Sequence, residues 1–273
     1  MVIKEALRFG TSFLKESSDT PSLDTSLLLE KALGCDKLTL IKNRDVLIDD
    51  DDLNLFKSFL ERRKSKEPVA YILEKKEFMG LAFSVSEGVL IPRPDTETLV
   101  EYALEHCNGS VLDIGTGSGA IAVSLAKFGK NLDVYAVDVS EKALDTAKCN
   151  AENNGVSINF SKLDILKEDI PGKFDSIISN PPYIRTDVLE TLESDVKDFE
   201  PLLALDGGFD GLTFYKVIAK KAASALNVNG IIIFEIGFDQ AKEVSEILEK
   251  DFKDIKVLYD LGQNSRVVTG IKK

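Results

Sequence analysis

Val111-Leu112-Asp113-Ile114-Gly115-Thr116-Gly117-Ser118-Gly119-Ala120 is the stretch on which the reading of this chain turns. Its first four residues form a short apolar run bearing one acid, the pattern of a buried strand. The glycines stop that run, and Ile121 to Phe128 then carries helical spacing. Glycines in such a loop let the backbone approach a ligand, and a helix N-terminus behind them offers unpaired amides. The next strand, Asp133 to Asp138, closes on an acid about 20 residues on, where a carboxylate can accept both hydroxyls of a ribose. Two cofactor classes stay open at this point. Gly115-x-Gly117-x-x-Ala120 meets the dinucleotide fingerprint, whereas Gly115-x-Gly117-x-Gly119 suits S-adenosylmethionine.

Outward from this loop the chain alternates. A helix is expected from Glu141 to about Asn153, and short strands at Ile158 to Phe160 and Ser176 to Ile178. A helix from about Leu212 to Leu226, a strand Ile231 to Glu235 and a helix Gln240 to Lys250 follow. Lys256 to Tyr259 and Arg266 to Ile271 are two strands around a turn at Gly262-Gln263-Asn264, too close for a crossover, so they pair antiparallel. The alternation predicts a Rossmann-like α/β domain, its sheet mostly parallel and covered on both faces. Asp164, after the third strand, is a candidate to take an adenine amino group, with Ile165 packing on the ring; a solvated loop aspartate is the alternative.

Asn180-Pro181-Pro182-Tyr183 follows the run Phe174-Asp175-Ser176-Ile177-Ile178-Ser179. Neither proline donates a backbone hydrogen bond, and Pro181 bars Asn180 from helix, so the strand ends in a stiff loop. Such a loop can fix the Asn180 side-chain oxygen and adjacent carbonyls as acceptors for an NH₂ group, with Tyr183 as a flat wall. A capped, proline-stiffened turn is the structural alternative. With the glycine loop, Asp138 and Asp164, these residues would line the carboxyl edge of one sheet.

The bulk properties exclude more than they assert. At 273 residues, 44% hydrophobic and 29% charged, the chain suits a large and a small globular domain. It has no apolar run of membrane-spanning length. Cys35, Cys107 and Cys149 are odd in number and lack Cys-x-x-Cys spacing, so disulfide or zinc frameworks are not expected and a reducing cytoplasm is. His106 is the only histidine, at a helix end, which leaves no histidine relay or metal site. A net charge of −12 opposes direct nucleic-acid binding, with Arg62-Arg63-Lys64-Ser65-Lys66 read as a solvated helix end. A monomer is the expected state.

Residues 1–70 read as a small bundle of short helices. Leu7, Phe9 (or Thr11) and Phe13-Leu14 give the first an apolar stripe, and Ser22 or Asp24 caps the second, which Gly34 closes. A short third piece runs from Asp36 to Lys42, and Asp51-Asp52 starts a fourth. Residues 71–91 form a hairpin-like connector turning at Gly80, and 92–273 the α/β domain. Ile91-Pro92-Arg93-Pro94 enters that domain extended, with Arg93 a candidate anion anchor and Asp95 or Thr96 capping the next helix.

Taken together, Asp113 to Ala120, Ile91-Pro-Arg-Pro-Asp-Thr-Glu97 and Ser179-Asn-Pro-Pro-Tyr-Ile184 resemble the protein-glutamine N-methyltransferases that modify peptide chain release factors. The likeness extends over Pro68 to Ile72, Glu77 to Leu81, Glu200-Pro201, Asp210-Gly-Leu212 and Glu235-Ile-Gly237. It implies a class I methyltransferase fold, S-adenosylmethionine as donor, and the glutamine of a Gly-Gly-Gln loop as acceptor. It implies cofactor contacts at Gly115, Thr116, Gly117, Ser118, Gly119, Asp138, Asp164, Ile165 and Asn180. Leu90 is implied as an apolar contact to the donor. Asn180, Pro181, Pro182 and Tyr183 are implied to hold the glutamine, with Arg93 beside them, and the helical bundle to recognise the protein substrate. Asn-Pro-Pro-Tyr alone is shared with methyltransferases of nucleic acid bases. A ribosomal-protein glutamine methyltransferase, a nicotinamide dehydrogenase and a non-enzymatic binding module are the other readings.

Overall fold

The computed structural model describes residues 1–273, which divide into two compact units. The first comprises Met1–Lys75 with the segment Glu193–Phe199. Its helices are α1 (Ile3–Phe13), α2 (Pro21–Leu33), α3 (Lys37–Lys42), α4 (Asp50–Lys64) and α5 (Val69–Leu73). They enclose a core of their own, with Leu14, Leu28, Leu29, Phe56 and Leu60 buried. The inward stripe of α1 is Ile3, Ala6 and Gly10 with Leu14 beyond it, and Phe9 is exposed, contrary to the stripe drawn through Phe9. Gly10 is required there, because an added Cβ would lie 2.5 Å from the Thr25 methyl of α2.

Helix α2 begins earlier than expected, at Pro21, ahead of both cap candidates. Pro21 takes its first position, where the missing N–H costs nothing, and neither Ser22 nor Asp24 caps it. Asp24 instead turns inward to Arg63 of α4 at 2.7 Å, in a buried ion pair that also receives the Ser18 and Thr20 hydroxyls. Helix α4 is capped by Asp49, and Asp50, Asp51 and Asp52 sit at its positive end. The basic run that ends α4 is occupied internally. Arg62 pairs with Glu67, Lys64 stands over the Phe13 ring, and Lys66 reaches the Ser17 carbonyl.

The second unit comprises Lys76–Leu192 and Glu200–Lys273. In chain order the elements are β1 (Lys75–Phe78), β2 (Leu81–Ser84), α6 (Glu97–His106), β3 (Gly109–Ile114), α7 (Ala120–Phe128), β4 (Leu132–Asp138), α8 (Glu141–Asn153), β5 (Asn159–Lys162) and β6 (Phe174–Ser179). The one-turn helix α9 (Ser194–Lys197) lies in the segment grouped with the first unit. Then come α10 (Thr213–Ala225), β7 (Leu226–Glu235), α11 (Ala241–Glu249), β8 (Phe252–Tyr259) and β9 (Ser265–Lys272). Strands β1 and β2 form the expected hairpin, turned at Met79-Gly80, both with positive φ. Phe78 and Phe83 of that hairpin pack into the same core as Leu99, Val100 and Ile121.

The main sheet has the order β5-β4-β3-β6-β7-β9-β8. The strands from β5 to β7 are parallel, and β9 runs antiparallel between β7 and β8. Chain order reverses between β3 and β6, and a crevice for ligands opens at that switch, outside the carboxyl ends of the strands. Apolar clusters cover both faces: Ile177, Ile232, Phe234 and Tyr215 on one, Val111, Val134, Ile178 and Ile233 on the other. The residues before α6 depart from expectation, since neither Asp95 nor Thr96 caps it. Asp95 pairs with Arg266 at 2.9 Å, and Thr96 faces Asn180.

Candidate active site

Register decides what meets at the carboxyl edge. Ile114 pairs with Val137 on one side and Ser179 on the other, so Gly115, Asp138 and Asn180 leave three adjacent strands at one level. Ser179 pairs in turn with Phe234, and Glu235 with Val267, which extends the same level to Asn180, Glu235 and Arg266. The Ser179 hydroxyl clamps the central pair, donating to the Ile114 carbonyl at 2.7 Å.

In the glycine loop, Gly115, Gly117 and Gly119 all have positive φ, a backbone that side chains strain to adopt. An added Cβ at Gly115 or Gly117 would meet nothing within 4 Å, so these two face open space. At Gly119 it would meet the Ala147 Cβ at 3.0 Å, so this glycine serves helix packing. The loop amides, expected to be unpaired, are mostly spent. Gly115 and Thr116 donate to the Val137 carbonyl, Gly119 to the Thr116 carbonyl, and Gly117 to Asp138 Oδ2 at 2.9 Å. Asp138 Oδ1 accepts from the Ser140 amide at 2.9 Å. Burial raises the Asp138 pKa, and the Ser140, Gly117 and Val139 amides oppose that.

Beneath the loop, Asp113 is fully buried, and neither oxygen has a hydrogen bond of ordinary geometry. Burial pushes its pKa up to about 7, against a weaker pull from the Thr116 hydroxyl and with some help from Asp138. Thr116 Oγ1 is also buried without a partner, and Ser118 is buried. These features test the two cofactor classes. A pyrophosphate needs free amides, and here they are engaged beside two carboxylates. A cationic ligand with ribose hydroxyls and a free amino group fits the same donors and acceptors, so the residues present suit S-adenosylmethionine.

The other expected cofactor contacts sit less directly. Asp164 folds onto its own loop, accepting from the Leu166 amide at 3.1 Å and pairing with Lys167 at 2.7 Å, which lowers its pKa. Ile165 is buried in the apolar core beside Leu163 and Ile170, while Leu166 is exposed.

The Asn-Pro-Pro-Tyr loop is clamped from behind. Gly207 lies against it so closely that a Cβ there would stand 2.7 Å from Tyr183 Cα and 2.9 Å from the Pro182 carbonyl. Gln240 Nε2 donates to the Tyr183 carbonyl at 3.1 Å and the Gly211 carbonyl at 3.2 Å, while its Oε1 accepts from the Gly237 amide. Pro181 is buried, Asn180 and Pro182 are half-buried, and burial pushes the Tyr183 phenol up to about 12. Asn180 Nδ2 is turned inward to Thr96 Oγ1 at 3.4 Å, which aims Oδ1 the other way.

Arg93 has an internal partner, Glu200, whose other oxygen accepts the Ile91 amide at 3.2 Å. Glu200 thereby pins Ile91-Pro-Arg-Pro, and Asp206 pins the loop before Gly207 through Thr186 and Gly208. Leu90 is half-buried beside Ile91. His106 stands apart from the site, at the end of α6 with its ring stacked on Tyr102. Two supports escaped the sequence reading. Fully buried Asn150 of α8 ties Ser118 of the loop to Ser84 of β2, and Gln240 holds Tyr183. Both are polar residues next to a helix start or within a helix, where a solvent-facing role is the ordinary reading.

A family model described as "Methyltransferase small domain" matches residues 93–196. A solved methyltransferase from Pyrococcus furiosus shares the fold with a TM-score of 0.54 at 22% identity, over 72% of this chain and 91% of that one. The fold is thus that of a class I methyltransferase. A second model, "PrmC N-terminal domain", matches residues 5–73. Release factor glutamine methyltransferase of Clostridium acetobutylicum is 43% identical over 282 residues, covering 100% of this chain and 99% of that protein. Its counterpart from Bacillus subtilis is 37% identical, over 98% and 97%. The chain belongs to the release factor glutamine methyltransferase family.

Proposed function

We propose that this enzyme transfers a methyl group from S-adenosylmethionine to the side-chain amide nitrogen of the glutamine in the Gly-Gly-Gln loop of peptide chain release factors. The donor supplies an electrophilic methyl on a sulfonium centre. Gly115 and Gly117 give it close backbone approach, Asp138 takes its ribose hydroxyls, and Asp113 with Asp138 favours its positive charge. The observation that carries the reading is the placement of Asn180 next to Gly115 across the sheet, its side-chain NH₂ turned inward and its oxygen outward.

An amide nitrogen is a weak nucleophile, because its lone pair is delocalised into the carbonyl. The task of the protein is therefore alignment. Asn180 Oδ1 and the Pro181 carbonyl accept the two amide hydrogens, and those bonds strengthen as the nitrogen gains positive character. Tyr183 walls the glutamine side chain and stays a neutral phenol at any working pH. No histidine takes part, since His106 lies elsewhere.

We infer that the enzyme acts as a monomer, in the compartment where translation terminates. No helix is long and apolar enough to cross a membrane. We infer that the helical unit of residues 1–75 recognises the protein substrate and that Arg93 shapes the wall of the acceptor pocket. Mass spectrometry of a release factor incubated with enzyme and labelled donor tests the function: one methyl on the glutamine of the Gly-Gly-Gln loop is expected. An unmodified glutamine, or label found in a ribosomal protein or RNA instead, would overturn it.

A further inference from the structure

Glu235 ends β7 at the level of Asn180, and its carboxylate is almost wholly buried, with Oε2 lacking any hydrogen-bond partner. A bare buried acid is costly, so its surroundings require a reason. Four charged or titratable groups face it: Arg266 of β9, Asp95 from the turn before α6, and the phenols of Tyr183 and Tyr215. Arg266 is already shared between Asp95 and Asp260. Tyr215 spends its hydroxyl on the Glu235 backbone carbonyl at 2.9 Å. The remaining polar groups within reach are the Thr96 hydroxyl and the Asn180 side-chain amide.

We propose that Glu235, acting through Thr96, is a positioning residue that fixes which way the Asn180 carboxamide faces. This rests on the function proposed above, in which Asn180 Oδ1 must point at the acceptor. An ionised carboxylate can only accept, so the Thr96 proton is given to Glu235. Thr96 Oγ1 is then left as an acceptor and takes an Asn180 N–H, the contact seen at 3.4 Å. Reversing Asn180 would set its oxygen against a hydroxyl lone pair and a negative charge. With Glu235 protonated, the relay can run backwards: Glu235 donates to Thr96, and Thr96 donates to Asn180 Oδ1. The NH₂ group then faces the crevice, where it repels the amide it should hold. Burial pushes the Glu235 pKa up to about 7, with Thr96, Arg266 and the Asn180 side chain itself opposing that and Asp95 adding to it. The switch therefore falls within the working range of pH.

Turnover at saturating release factor and donor, measured from pH 5.5 to 9, tests this on the full chain. The wild type should lose turnover as pH falls through about 7. Glu235→Gln should turn over about 10–100-fold more slowly with that acid limb gone, and with donor affinity unchanged. Thr96→Ser should keep rate and limb, and Thr96→Val should lose both. Independently of activity, the Asn180 side-chain amide resonance, assigned by its loss in Asn180→Ala, should titrate in the wild type with the same midpoint. A Glu235→Gln enzyme with normal turnover and an intact acid limb would overturn the proposal. Should that variant not fold, an Asn180 resonance that ignores pH, or equal behaviour of Thr96→Ser and Thr96→Val, would do the same. A wild type that methylates no release factor defeats the proposed function instead, and the resonance still decides the positioning.

Discussion

Asn180 and Asp138 stand at the ends of β6 and β4, the two strands that flank β3, and the tasks proposed for them separate cleanly. In the proposed mechanism Asn180 touches the reacting amide, so its loss should act on the chemical step. Asn180→Ala is expected to lower turnover by roughly 10²–10³, the scale for one preorganised polar contact. Rapid-quench assays that return near-normal turnover would remove Asn180 from the reaction. Asp138 spends one lone pair of each oxygen on the loop, which leaves the others for the ribose of the proposed donor. Asp138→Ala should weaken S-adenosylmethionine by about 10–100-fold, since a charged hydrogen-bond acceptor is lost. Titration calorimetry giving an unaltered dissociation constant would contradict that role.

The loops that present these residues gain their stiffness from neighbours more than from their own prolines. Gly207 touches the Tyr183 backbone, and Gln240 pulls on the Tyr183 carbonyl. Gly207→Ala should displace the Asn-Pro-Pro-Tyr loop, costing about 1–3 kcal/mol of stability and a larger share of turnover than of donor affinity. Thermal unfolding together with donor titration checks the split. This dependence on neighbours also explains what could be read in advance. Val111 to Ile114, Asp133 to Asp138 and Ile231 to Glu235 are apolar bursts between breakers, and each became a strand at its predicted place. Glu141 to Asn153 is a helix with the bounds expected, its Ser140 cap in place. Asn227 to Gly230 carry turn-type residues and do interrupt the ladder, as a bulge between Leu226 and Ile231 with Asn229 at positive φ, although β7 continues through them. Ser22 and Asp24 look like caps, as do Asp95 and Thr96, but Asp24, Asp95 and Thr96 serve instead as partners of distant residues, Asp24 and Thr96 from buried positions. Which use prevails depends on Arg63, Arg266 and Asn180, distant in sequence. Glu200 and Asn150 were illegible for the same reason.

The whole chain divides its labour between a helical unit with its own core and an α/β unit that holds the chemistry. A chain lacking residues 1–67 should bind intact release factor more weakly while binding S-adenosylmethionine as before. Surface plasmon resonance showing equal affinity for the release factor would refute the assigned division. The order of strands has a consequence of a different kind. Strand β8 touches the sheet only through β9, and β9 alone covers β7. The two are joined by the Asp260–Asn264 turn, where Asp260 Oδ1 accepts from the Asn264 amide and the Asp260 amide donates to the Asn264 carbonyl, so they can zip up locally and dock as a ready-made ribbon. Until docking, or after proteolytic loss of that ribbon, Ile231–Glu235 is a bare, strongly apolar border that invites another polypeptide to add on. Clipping this protein ahead of Phe252 should therefore produce fibrils or soluble aggregates, and not a slightly weakened monomer.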